Sequence, residues 1–183
     1  ILHGGPHTLG FLMGATGVGA LTGALILASR KNALGLGRWI PSASGIFGAG
    51  LVGFSLSSMP WLSVSLLFIV GLGMMVQMAA SNTILQTIAD DDKRGRVMSF
   101  YALSFMGMAP FGSLLAGSLA GMIGAPATLM ISGIACILGA LVFAAHLPSF
   151  RKQIRPIYVK LGLIPEVPES IGAIARIAIP PEH

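Results

Sequence analysis

Apolar residues run through this sequence in long stretches, interrupted by short charged clusters. No Asp, Glu, Lys or Arg occurs in 1–29, 39–89 or 97–150. A helix that crosses a bilayer takes about 20 predominantly apolar residues, each adding about 1.5 Å. The first stretch accommodates one such helix and the other two accommodate a pair each. Both long stretches must fold back once, and each has a turn signal near its middle: Ser57-Ser58-Met59-Pro60 in one, Gly121-Met122-Ile123-Gly124-Ala125-Pro126 in the other. The pattern predicts five helices, over 8–28, 39–57, 61–86, 97–120 and 126–146. The apolar and polar alternation of barrel strands, about ten residues per segment, does not occur. Helices satisfy all their backbone groups inside a bilayer. The expected organisation is an all-α transmembrane bundle of five helices over 1–147 and a tail over 148–183. Pro148, Pro156, Pro165 and Pro168 break up that tail, in which Ile171, Ile174, Ala175 and Ala178 are spaced for a short helix lying on the membrane surface.

Composition narrows the class. Charged residues make up 9% of the chain and apolar residues 54%, against about 25% charged in an ordinary soluble domain. That is too little charge to coat a water-soluble globule, which excludes a soluble enzyme. Disordered chains are poor in apolar residues, so disorder is excluded as well. The 25 glycines follow no G-X-Y period and lie inside the apolar runs.

The cations then set an orientation. Arg30, Lys31 and Arg38 follow the first predicted helix; Lys93, Arg94 and Arg96 follow the third; Arg151, Lys152, Arg155, Lys160 and Arg176 follow the fifth. All fall on one side, which the positive-inside rule makes cytoplasmic, with Trp39 and Trp61 at opposite interfaces. The C-terminus is then cytoplasmic and the N-terminus external. Because the chain starts with Ile and has no basic segment ahead of its first apolar run, no signal peptide is read there. The segment 1–7 reads as an external loop between helices, with more of the protein expected upstream.

Small residues four apart mark helix crossings in lipid, where association depends on close backbone contact. Gly10 with Gly14, Gly19 with Gly23, Gly45 with Ala49 and Gly53, and Gly117 with Gly121 have that spacing. On the third helix, Met74, Gln77, Met78, Ser81 and Asn82 share one broad face. Unpaired amides cost several kcal/mol in hydrocarbon, so this face should meet other helices or a wet cavity, and Met suits a surface that accepts varied apolar ligands. Tyr101, Ser104 and Met108 on the fourth helix join the same cavity or hydrogen-bond to a neighbouring helix. These eight residues are the candidate substrate contacts. No catalytic constellation can be assembled, and no cofactor is called for. His146 sits at an interface, His3 and His7 are separated by Pro6 and two glycines, and Asp90, Asp91 and Asp92 read as a solvated loop rather than a metal site. Those aspartates also favour the positive N-terminal end of the fourth helix. Cys136 is a packing residue with no disulfide partner. The basic residues are spread over separate loops as anchors, so no nucleic-acid partner is expected.

The segment Asp91-Asp92-Lys93-Arg94-Gly95-Arg96-Val97-Met98-Ser99-Phe100, followed by Gly107-Met108-Ala109-Pro110-Phe111-Gly112 and Gly117, resembles the loop and helix that join spans ten and eleven in the major facilitator superfamily. It is most similar to the efflux branch that includes the enterobactin exporter. The resemblance implies a twelve-helix transporter in two six-helix halves, with the five helices here matching the eighth to twelfth and so forming most of the C-terminal half. It implies as partners the lipid bilayer, the missing N-terminal half and a small-molecule substrate. It also implies a multi-pass location in the bacterial inner (plasma) membrane, and a tenth helix bordering the central cavity, in agreement with the Gln77 face. After the first helix, Gly23, Arg30, Lys31, Gly35, Gly37 and Arg38 resemble the glycine and basic parts of a gating motif of this family. Ser29 stands where an Asp would be expected. Arg30, Lys31, Arg38, Arg94 and Arg96 are therefore candidate gate residues, or simple cytoplasmic anchors. The function implied is secondary active export of a small amphipathic compound, such as a siderophore or drug, by alternating access. The alternative is a non-transporting membrane subunit or scaffold that binds partner proteins through its glycine-rich helices.

Overall fold

The structure is a computed structural model that describes residues 6–30 and 35–160. Among them lie five α-helices: α1 (Pro6–Ala28), α2 (Leu36–Leu56), α3 (Pro60–Ile88), α4 (Arg94–Ile123) and α5 (Ala125–Lys160). All five are long and apolar enough to cross a membrane. Their large apolar side chains point outward, with Phe11, Phe100, Phe111 and Trp61 all exposed. Such a continuous apolar surface is a liability in water and is suited to lipid. Each helix begins one to three residues before the start predicted from the apolar pattern, because the connections rather than the polarity of single residues set the ends.

Those connections are short. Gly35, in the left-handed conformation with φ 88°, leads into α2. Pro60 opens α3, where its fixed φ and missing N–H are tolerated. Gly124, at φ 84°, is the one residue between α4 and α5, and its N–H donates to the Ala120 carbonyl at 3.1 Å. An L side chain at either glycine would be strained. Between α3 and α4, the Lys93 N–H donates to the Asp90 carbonyl at 2.9 Å, Lys93 pairs with Asp90 at 3.4 Å and Arg94 with Asp91 at 2.8 Å. The aspartate triplet is thus exposed and partly neutralised by its own neighbours.

α3 is the hub. α1 and α2 both pack extensively along it, and they do so through glycine. A Cβ on Gly19 would overlap the Phe68 backbone, one on Gly71 would overlap the Thr16 backbone, and one on Gly23 would lie 2.9 Å from the Leu72 carbonyl oxygen. On the other side, a Cβ on Gly73 would lie 2.8 Å from the Ala43 carbonyl oxygen, and one on Gly50 2.7 Å from Val70. Backbones approach this closely only where the side chain is a hydrogen. α2 also crosses α5 reciprocally. A Cβ on Gly48 would lie 2.6 Å from the Gly133 oxygen and 2.8 Å from Ile137, and a Cβ on Gly133 would lie 2.6 Å from the Gly48 oxygen and 2.8 Å from Val52. Ile137 and Val52 each stand four residues beyond their own glycine, so the crossing has local two-fold symmetry. Of the small-residue pairs marked in the sequence, Gly19 with Gly23 is therefore a crossing, and Gly53 meets the Leu66 side chain. Gly10, Gly14, Gly45, Gly117 and Gly121 face open space.

α4 meets α3 only slightly, and none of its residues is buried. The chain divides into two compact units, Ile1–Pro148 and Ser149–His183. The break falls within α5, which continues helically through Pro148 and Pro156 instead of ending near Leu147 as the prolines suggest. Each proline leaves one carbonyl, that of Ala144 or Lys152, without its usual N–H. Both of those residues are exposed, so no packing is lost around the freed group. The surface helix expected around Ile171 lies outside the described residues.

Candidate functional site

The surroundings of α3 divide its sides by chemistry. Phe68, Leu72 and Met75 face α1, while Leu66, Val70 and Gly73 face α2 on roughly the opposite side of the helix. Two sides remain between them. One carries Met74 and Met78, 45% and 38% exposed, with half-buried Ser81 and Asn82. The other carries Ile69 with the edges of Leu72 and Val76. The helix therefore keeps a Met, Ser and Asn side distinct from one where Ile69, Leu72 and Val76 are apolar and the hydroxyls of Ser65, Thr83 and Thr87 are tied back to carbonyls four residues earlier.

Gln77 sits at the border of the polar side, half-buried in a cleft of about 290 Å³ between α2, α3 and α5. Ile40, Pro41, Ser44, Cys136 and Phe143 help line it. Most hydroxyls in these helices bond back to a carbonyl three or four residues earlier, as Thr83 does to Ala79 at 2.8 Å and Ser132 to Thr128 at 2.9 Å. The Gln77 amide and the Ser44 hydroxyl make no such bond to another described residue. They are left to a ligand, to water or to a further part of the protein. Ser44 was not singled out by sequence, although it lies one helical turn before Gly48, where a close crossing holds the helices together and opens a cleft beside it. Farther along, Asn82 accepts a hydrogen bond from the Gln86 amide, and the Gln86 carbonyl accepts one from Arg94 Nε at 3.1 Å.

The fourth-helix candidates stand apart from this face. Tyr101 stacks on Phe105, with ring centroids 6.4 Å apart. Ser104 and Met108 belong to the stretch 102–118, every residue of which is exposed. No described helix covers them. Of the basic candidates, the Arg30 guanidinium lies 4.2 Å from the centroid of the Trp39 ring, Arg38 and Arg96 are exposed, Arg94 pairs with Asp91, and Lys31 lies outside the described residues. His146 donates from Nδ1 to the Val142 carbonyl at 2.9 Å. No cluster of three potential metal ligands occurs among the described residues.

A bundle of long apolar helices, joined by tight turns and crossing on glycine, defines a multi-pass membrane protein. Residues 1–158 match the family model of transmembrane secretion effectors in the major facilitator superfamily, and the chain belongs to that family. Membership points to a role in transmembrane transport. No curated protein and no solved structure matches the chain.

Proposed function

We propose that this chain forms most of the C-terminal half of a secondary active exporter of small amphipathic compounds, working by alternating access in the bacterial inner membrane with its C-terminus in the cytoplasm. The observation that carries this reading is the division of α3. Its Met74, Met78, Ser81 and Asn82 side is left open by α1 and α2, and Gln77 at its border opens into the cleft beside Ser44, where its amide bonds to no other described residue. A helix placed between a wet substrate pathway and lipid needs that asymmetry, whereas a scaffold helix has no use for an unpartnered amide in hydrocarbon. Tyr101, Ser104 and Met108 would complete the pathway from α4 once the remainder of the transporter encloses it.

The local two-fold at the α2–α5 crossing supports the same reading. In transporters built from inverted repeats, each helix has a counterpart across such an axis. α3 packs on both α1 and α2, so the operation that exchanges α2 with α5 places an equivalent helix against α4 and α5. Bare α4 is the surface that such a helix, and the other half of the transporter, would cover. Arg30, Lys31, Arg38, Arg94 and Arg96 belong in this reading to the cytoplasmic gate.

No Asp, Glu, Lys or Arg lies in 39–89 or 97–150, so this half supplies uncharged recognition. A carboxylate for proton coupling belongs to the other half. The test uses the full-length protein in proteoliposomes, with uptake of a fluorescent amphipathic cation as the readout. Gln77→Ala should shift the apparent affinity several-fold and leave the pH dependence of transport in place, whereas Ile69→Ala on the other side should change neither. Loss of proton coupling with unchanged affinity in Gln77→Ala would overturn the assignment. Stable association with partner proteins and no flux would favour the scaffold.

A further inference from the structure

A second groove, of about 260 Å³, lies between α1, α2 and α3 on the Ile69 side of α3, with Ile26, Arg38, Trp39, Ser42, Ile46 and Leu72 in its walls. Its two ends differ. At the start of α2 it is lined by Arg38 and Trp39, and the Arg30 guanidinium lies 4.2 Å from the centroid of the Trp39 ring. About 12 Å farther along α2, at Ile46, the walls are entirely apolar. Among the described residues, nothing acidic compensates the positive charge at the head of the groove. The aspartates among the described residues are Asp90, Asp91 and Asp92, and the ion pairs there are Asp90 with Lys93 and Asp91 with Arg94. Neither Arg30 nor Arg38 has an acidic partner among the described residues. α2 adds to the imbalance, because Gly35 offers no side chain to cap its first N–H groups and the positive end of the helix dipole lies at the same place.

We propose that this groove binds one anionic glycerophospholipid, with its phosphodiester held by Arg38 and Arg30 and an acyl chain lying along Ile46 and Leu72. Guanidinium groups match phosphate oxygens in a two-pronged geometry, and a guanidinium stacked on an aromatic face keeps its in-plane N–H donors free. Basic pockets between membrane helices recognise anionic headgroups in this way. A zwitterionic headgroup would bring its own ammonium against the same two cations, and a free phosphate would leave the apolar end of the groove empty. Ordinary anchoring by basic residues requires neither the groove nor Trp39 beside it.

Trp39 reports on the site directly. With Trp61→Phe it becomes the one tryptophan of the chain, and lipids brominated on their acyl chains will quench it in nanodiscs of phosphatidylcholine. Brominated phosphatidylglycerol should quench at a mole fraction roughly 25-fold lower than brominated phosphatidylcholine, about fivefold for each of the two arginines. Arg30→Gln with Arg38→Gln should bring the two lipids to parity, while Lys93→Gln with Arg96→Gln, which removes equal charge from another connection, should leave the preference intact. Ile46→Phe narrows the apolar end without altering charge and should weaken quenching by the anionic lipid, with helicity by circular dichroism unchanged. Millimolar glycerol phosphate should not relieve quenching. Equal quenching by the two lipids would overturn the proposal. So would a preference that survives removal of both arginines, or one lost equally with the Lys93 and Arg96 charges. Relief by glycerol phosphate would reassign the site to soluble anions.

Discussion

α3 and α4 have nearly the same length, 29 and 30 residues, and both carry glycines, two on α3 and five on α4, yet their surroundings are opposite. On α3, Gly71 and Gly73 lie against the backbones of α1 and α2, and Ser63, Val70, Val76 and Ala80 are buried around them. On α4, Gly95, Gly107, Gly112, Gly117 and Gly121 have nothing within reach of an added Cβ, and no residue of the helix is buried. Glycine spacing therefore records that two backbones are able to come close. The neighbour's own glycine, as Gly19 is to Phe68 and Gly133 to Gly48, decides whether they do. α4 can stand in lipid on its internal hydrogen bonds alone, whereas α3 also owes its position to packing.

The largest expected effect tests that difference. Gly71→Leu would drive a side chain into the Thr16 backbone, and the displacement should cost about 3 kcal/mol, the upper part of the usual range for an overpacked interior. Gly117→Leu meets open space and should change the stability of this chain by less than about 0.5 kcal/mol. Unfolding of each variant in mixed micelles, followed by helicity, gives both numbers. Equal costs would show that α4 is covered in the membrane by part of this same chain. In the full-length protein Gly117→Leu should become costly, which would locate the helix proposed to pack there.

A smaller effect is expected where the crossing is reciprocal. Gly48→Ala and Gly133→Ala each place a methyl 2.6 Å from the other's carbonyl oxygen, so each should cost about 2 kcal/mol. Either substitution forces the two helices apart by itself. The double variant should therefore cost clearly less than the sum of the singles, by about 1 kcal/mol or more, as expected for residues that share one contact. Strict additivity in the same unfolding assay would mean that the two glycines do not meet in the membrane.

The number of helices and their approximate spans were legible in the sequence, because charge cannot be hidden inside a 51- or 54-residue run and the bilayer thickness fixes how often such a run must fold. The turns were legible for the same reason. Gly124 could be read as a turn residue because only glycine accepts its φ of 84° without strain. The partners of each face were not. Gly10 with Gly14 and Gly117 with Gly121 have the same spacing as Gly19 with Gly23, and nothing local separates a crossing from a bare surface. Gly48 and Gly133 are 85 positions apart, and their reciprocal contact is a property of the folded bundle. The end of α5 was misread because prolines stop helices in water when carbonyls and packing are both lost, and at Pro148 and Pro156 the freed carbonyls belong to exposed residues. For the candidate face, the shared side of Met74, Met78, Ser81 and Asn82 follows from spacing alone, but that Gln77 and Ser44 line one cleft depends on where α2 and α5 cross.

The smallest effect concerns the hydroxyls of the two helices. Ser63, on the first turn of α3, is fully buried, with relative exposure 0%, and donates to Ser57 Oγ at 3.0 Å. Ser57 in turn donates to the Met59 carbonyl at 3.3 Å, so the pair ties the α2–α3 turn to the helix it starts. Ser63→Ala removes the donor and leaves one lone pair of Ser57 unfilled in a buried position. A hydrogen bond of this kind contributes about 1 kcal/mol in net terms, and polar contacts between membrane helices average about 0.6 kcal/mol. The expected loss is therefore between about 0.5 and 1 kcal/mol. Ser104 on α4 is exposed and makes no hydrogen bond to another described residue, so Ser104→Ala should leave stability unchanged within error. The same micelle titration resolves the two. A cost at Ser104 equal to that at Ser63 would place a hydrogen-bonding neighbour beside α4 within this chain and remove the contrast between the two helices.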